Sequence, residues 1–166
     1  AGDLSFPQNP PPELLPYYTL SGAIPMERFH IFFKQGYLSR DARTNKWTQT
    51  AIDKHILQAR DGTLEGSYGA EVSAGVYKKL SEIDLSGKRI FVVGSEKPWI
   101  EAIALSLGAK HVETLEYGFC ESEHPQISVY TPESFRERVL DEDFEFYHGV
   151  ISFSSLEHSG LGRYGD

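Results

Sequence analysis

The stretch 90-IFVVGSEKPWIEAIALSLGAKHVETLEYG-118 passes from an apolar run into a Gly94-Ser95 loop, then into a helical pattern, then into a second apolar run ending on Glu116. Pro98 suits a first helical turn, where its missing N–H costs nothing. Ile100, Ile103, Ala104 and Leu107 recur at i, i+3, i+4 and i+7, and Gly108 stops the helix. Strand, loop, helix, strand is the outline of a parallel crossover unit, and its first loop is where nucleotide cofactors bind. The dinucleotide fingerprint places several glycines there. This loop has Gly94 alone, followed by Ser95-Glu96-Lys97-Pro98-Trp99.

Downstream, a loop holding Cys120 and His124-Pro125 leads to a short strand, 127-ISVY-130. Thr131-Pro132-Glu133 then reads as a helix start: N-cap, proline at the first position, acid in the first turn. The run 147-YHGVISFSS-155 reads as a buried strand. Upstream, 50-TAIDKHILQARDG-62 and 69-GAEVSAGVYKKLSEID-84 have helical spacing, with Val72, Val76, Leu80 and Ile83 on one face of the second. Residues 1–16 hold five prolines and read as an extended arm, and the aromatic-rich 17–47 as a lid. The fold class expected is α/β: a Rossmann-like, mostly parallel sheet with flanking helices, its strands centred on Val92, Leu115, Val129 and Ile151. It divides into a Pro-rich arm (1–16), an N-terminal extension with helices (17–86) and an α/β core (87–166) that reads as incomplete at its C-terminus.

A formal net charge of −8, with 16 scattered basic residues, argues against a nucleic-acid partner and for a small ligand. With one cysteine, Cys120, there is no disulfide framework and no CxxC site. No apolar run reaches the roughly 18 residues of a membrane span. Without a signal pattern the default expectation is a soluble, cytoplasmic protein, although Ala1 and the loop-like 161-LGRYGD-166 both read as cut ends.

Ligands of open α/β sheets bind beyond the carboxyl ends of the strands. Glu116 follows Gly94 by 22 residues, the fingerprint spacing for an acid on a ribose diol; a solvated strand end is the other reading. Gly94, Ser95, Glu96, Trp99, Glu116, Tyr117 and Glu157 are the candidate cofactor contacts, with Trp99 equally readable as a packing residue. The run 152-SFSSLEHSGLGRYGD-166 supplies His158 for proton transfer, Arg163 to clamp an anionic group and Tyr164 beside them. Its three glycines between 157 and 166 suit a backbone brought close to a ligand. A structural brace is the alternative role for Glu157 and His158. A metal centre from His124, Glu157, His158 and Asp166 matches no ligand spacing, and Ser154 and Ser155 lack a nucleophile elbow.

The segments 17-YYTLSGAIP-25, 92-VVGSEKPWIEAIALSLGA-109, 113-ETLEYG-118 and 152-SFSSLEHSGLGRYGD-166 resemble a domain-of-unknown-function family first described from nematode (Caenorhabditis) proteins. More distantly, Gly94, Glu116 and Leu156-Glu157-His158 are similar to the glycine loop, ribose acid and post-strand motif of class I S-adenosylmethionine-dependent methyltransferases. That resemblance implies S-adenosylmethionine as cofactor and methyl transfer to a small-molecule or glycan acceptor. It departs from the pattern in the single-glycine loop, in His148 where an Asp usually stands, and in the loop around Cys120 where a helix is usual. An NAD(P)-type oxidoreductase and a non-catalytic α/β binding module are the competing expectations.

Overall fold

The computed structural model describes residues 12–25 and 45–158. In chain order these form α1 (Leu15–Tyr18), β1 (Asn45–Trp47), α2 (Gln49–Asp61), α3 (Ala70–Leu80), β2 (Arg89–Val93), α4 (Trp99–Ser106), β3 (His111–Leu115), β4 (Cys120–Ser122), β5 (Ile127–Tyr130), α5 (Pro132–Arg138), β6 (Gly149–Ser152) and a final 3-10 turn, Leu156–His158.

Four strands make one sheet in the order β5-β3-β2-β6, and every neighbouring pair is parallel. Val92 stands opposite Thr114 on one side and Ile151 on the other, and Thr114 stands opposite Val129. The strands expected around these residues therefore share a sheet. Because side chains alternate across a strand, Ile90, Val92, Val112 and Ile127 point to one face. There they meet Ile100, Ile103 and Ala104 of α4 in a single buried cluster. The other side of α4 is covered by α2, through Ile52 and Ala59. Every residue from Trp99 to Leu105 is consequently buried, including Glu101. Burying an aliphatic side chain of this size contributes roughly 1.5–3 kcal/mol, so the α2–α4–sheet sandwich anchors the fold.

Helix boundaries follow local chemistry. Thr48 caps α2 by accepting from the Ala51 N–H, and Gly62, left-handed at φ 72°, ends it as Asp61-Gly62 suggests. Thr131 and Ser134 form a reciprocal capping box on α5, with Pro132 at its first position.

Four expectations need correction. The second helix stops at Leu80, not Asp84: Ser81 Oγ bonds the Lys78 carbonyl, the chain turns, and Ile83 is exposed instead of joining the apolar face. The last strand is only Gly149–Ser152 and is not a buried one. Among the described residues it is a sheet edge covered on the α4 side alone, Val150 is 64% exposed, and Ser154 at φ 51° breaks the run. Cys120 lies in a strand, β4, whose three residues pair in parallel with β1. Pro98 is the N-cap of α4 and not its first helical residue. Of the expected lid, Trp47 is buried in the core cluster, while 26–44 and the arm up to residue 11 lie outside the described residues.

Candidate functional site

The carboxyl ends of β2 and β3 deliver the 94–98 loop and Glu116 to the same place. Gly94 donates its N–H to the Leu115 carbonyl at 2.8 Å, extending the β2–β3 ladder by one residue. The chain then turns at φ 74°, a left-handed conformation that favours glycine. A side chain at Gly94 would stand 1.8 Å from Ser155 Oγ, so the loop after β6 occupies the space that the missing Cβ leaves. Close approach at this glycine is made by protein.

Glu116 is buried, and both carboxylate oxygens accept from backbone: Oε2 from Ser95 N–H at 2.7 Å and Oε1 from Gly118 N–H at 3.1 Å. It ties the β2 loop to the β3 loop.

Ser95 is also buried. Its Oγ stands 2.7 Å from the Lys97 carbonyl and 2.9 Å from Glu101 Oε2. The other oxygen of Glu101 accepts from Thr114 Oγ1 at 2.8 Å. Glu101 has no exposed surface, and no cation pairs with it among the described residues. Burial therefore pushes its carboxyl up to about 7, against the pull of hydrogen bonds from its own backbone N–H, Thr114 and Ser95 and with a further push from the Glu116 charge. Sequence reasoning passed over this residue. Its signal was there: one acid inside the otherwise apolar 99-WIEAIALS-106.

The remaining candidates separate. Glu96 is exposed and its carbonyl accepts from Asn45 Nδ2 at 2.6 Å, which links the loop to β1. Trp99 is 3% exposed, edge-on to Tyr68 and Phe153 at 6.1 and 5.3 Å, in the environment of a packing residue. Tyr117 is half-buried between Glu116 and Gly118, and Glu157 is exposed in the 3-10 turn. His158 closes that turn, three residues after the Ser155 that covers Gly94. Arg163, Tyr164 and Asp166 lie outside the described residues.

Two residues past Glu116 a cavity of about 140 Å³ opens at the tips of β3 and β5, lined by Gly118 to Glu121, Val129, Thr131 and Ser134. An engineered cavity of about 150 Å³ holds benzene, so this one has room for a single ring. Cys120 lines it as a neutral thiol: burial, with the charges of Glu116, Glu101 and Glu121, pushes its pKa up to about 12. That removes it as a nucleophile.

Among the described residues, no cluster of three or more His, Cys, Asp or Glu side chains has metal-binding geometry, and no helix is long and apolar enough to cross a membrane. What these elements define is an α/β protein with a parallel sheet, flanking helices and an acid-tethered loop at the carboxyl edge. Residues 87–166 match the family model described as Caenorhabditis protein of unknown function, DUF268, so the family resemblance holds over this C-terminal segment. The resembling stretch 17–25 lies outside the match. No curated protein and no solved structure matches the chain.

Proposed function

We propose that the protein binds a nucleoside cofactor at the carboxyl edge of its sheet, with S-adenosylmethionine as the cofactor and methyl transfer to a small-molecule or glycan acceptor as the reaction. The observation that carries this reading is Glu116, held at the tip of β3 against the β2 loop and beside a ring-sized cavity. An acid there accepts from a ribose diol in Rossmann-like sheets. The strand order supports it: counted from β2, the sequence β5-β3-β2-β6 reads 3-2-1-4, the first four strands of the doubly wound order, with the switch between β2 and β6. The Gly94 and Ser155 loops emerge at that switch. A base held by the Thr131–Ser134 cavity would leave its ribose to Glu116. His158 would take or position a proton on the acceptor, and Arg163 and Tyr164 would hold its polar groups. Methyl transfer needs alignment more than acid–base machinery.

A thermal-shift and calorimetry series with S-adenosylhomocysteine, NAD and NADP tests the reading. A ligand at a hundred times its dissociation constant adds about 2.7 kcal/mol of stability. Binding of S-adenosylhomocysteine that weakens in Glu116→Ala is the expected result. Preference for NAD or NADP transfers the site to the oxidoreductase reading, which the absence of G-x-G-x-x-G disfavours. Binding of none of the three to the whole protein ends the cofactor reading.

A further inference from the structure

We propose that Glu101 is a proton-controlled latch for the 95–98 loop: with a proton, its carboxyl group holds Ser95 against β3, and without it the loop is released.

The geometry accommodates a proton on Glu101. Ser95 Oγ lies within hydrogen-bond distance of both the Lys97 carbonyl and Glu101 Oε2, yet it carries one hydrogen and cannot make two full bonds. If Glu101 Oε2 is protonated, the chain closes in one direction. Oε2–H donates to Ser95 Oγ, Ser95 Oγ–H donates to the Lys97 carbonyl, and Thr114 Oγ1–H donates to Oε1. Every polar atom of the network then has its partner.

Ionisation undoes this. The Ser95 hydroxyl must turn to the carboxylate, and the Lys97 carbonyl keeps only the Trp99 N–H, at 2.8 Å. An anion with no exposed surface is left facing a second carboxyl group. Hydrogen bonds from its own backbone N–H, Thr114 and Ser95 offset part of this, and no cation among the described residues offsets the rest. Glu116 faces it from the end of β3, and from β4 Cys120 is a neutral thiol. Lys97 on the loop is exposed, and His55 on α2 is held toward its neutral form by burial, then by Lys54 and by Lys97 itself. Water is the remaining source of stabilisation, and it reaches Glu101 when the loop lifts off. Since the folded-state value is raised above the ordinary carboxylate value of 4.5, the stabilisation is complete below 4.5 and is lost as pH rises to about 7. The latch does not need the cofactor reading; its effect on ligand binding rests on it.

Trp99, next to the loop, reports its state. The chain has two tryptophans, so Trp47→Phe leaves Trp99 as the only one. Fluorescence and thermal midpoint are followed from about pH 5.5 to about pH 8.5, a range that brackets the titration. The expected result is a fluorescence transition near pH 7 with a midpoint that falls as pH rises, both absent in the Glu101→Gln background, whose amide keeps one donor and one acceptor at every pH. A transition that persists in Glu101→Gln, or none in the parent, overturns the proposal. If Glu101→Gln does not fold, the carboxyl carbon resonance of Glu101 in the parent decides: titration near 7 sustains the latch, and titration in the ordinary carboxylate range ends it. The affinity for S-adenosylhomocysteine separates the two readings. A fall of about tenfold per pH unit above the transition is the limit for one coupled proton. If it does not bind at any pH while the transition stays, the cofactor reading fails and the latch stands. Binding that ignores pH, with no transition, leaves the cofactor site and removes the latch.

Discussion

Two buried acids lie against opposite faces of the sheet and are stabilised by opposite means. Glu113, in β3, accepts from Arg89 on one oxygen and from Tyr147 Oη at 2.7 Å on the other; Arg89 also bonds Glu145 at 2.9 Å. Phe91 stacks on Phe135 and Tyr147 at 4.7 Å and walls that network in. Glu101, across the sheet, is held by its own backbone N–H and by the hydroxyls of Ser95 and of Thr114, the residue that follows Glu113, with no cation among the described residues. A guanidinium pairs with the first acid, and the lack of one beside the second, buried acid leaves it neutral up to about pH 7. The paired acid is part of a closed Arg89–Glu113–Tyr147 network that serves the fold. The unpaired one can respond.

Cutting the paired side should be the costliest break. Glu113→Ala leaves Arg89, whose side chain is 10% exposed, without its buried partner. Breaking a buried pair by removing one member costs about 3–5 kcal/mol, and urea unfolding at neutral pH measures it. A loss below about 1 kcal/mol, the worth of a surface ion pair, would show that Glu145 and water replace Glu113, and the contrast between the two acids would collapse.

A smaller effect probes the seam where the unpaired side meets the loop after β6. In Gly94→Ala the new methyl collides with Ser155 and the left-handed backbone is strained. Overpacking costs about 1–3 kcal/mol, and a left-handed non-glycine residue about 1–2 kcal/mol. Adding Ser155→Gly should recover the first part and leave the second. Full recovery would mean that φ 74° is not imposed at this position; no recovery would mean that Ser155 is not what fills the space.

These particulars also mark what could be read from the sequence. The four strands of the main sheet and their common direction were legible, because alternation of apolar runs with helical spacing is a local signal. Thr131-Pro132 and Asp61-Gly62 marked helix ends for the same reason. The three-residue β1 and β4 were not legible, since strands that short carry no periodicity and β4 exists through its pairing with residues some 75 positions earlier. At the candidate site, Glu116 and Gly94 were recognised from spacing, but what they touch was not: Ser155 reaches Gly94 only through the fold. Glu101 was missed for a different reason. Helical periodicity assigns an inner and an outer face, and α4, enclosed by the sheet on one side and α2 on the other, has no outer face over most of its length. An acid that looks like the solvent side of an amphipathic helix is thereby an interior one.

The smallest effect belongs to the cavity. Thr131 accepts from the Ser134 N–H at 3.3 Å, and its own N–H donates to Ser134 Oγ at 3.0 Å. Both residues line the cavity, so the capping box that starts α5 also shapes one wall of the proposed base site. Thr131→Ala removes the cap and should cost about 1 kcal/mol. Thr131→Ser keeps the hydroxyl and the cap, and should cost less. Because Thr131 hydrogen-bonds neither buried acid, neither variant should abolish the pH transition assigned to Glu101 or the Arg89–Glu113 pair. Ligand affinity is the sharper readout. If a base occupies this cavity, Thr131→Ala should weaken S-adenosylhomocysteine binding by more than its effect on folding, as measured in ligand-free protein, and Thr131→Ser should restore it. Equal affinity in both variants would place the base elsewhere on the carboxyl edge, and leave the capping box as the start of a helix and nothing more.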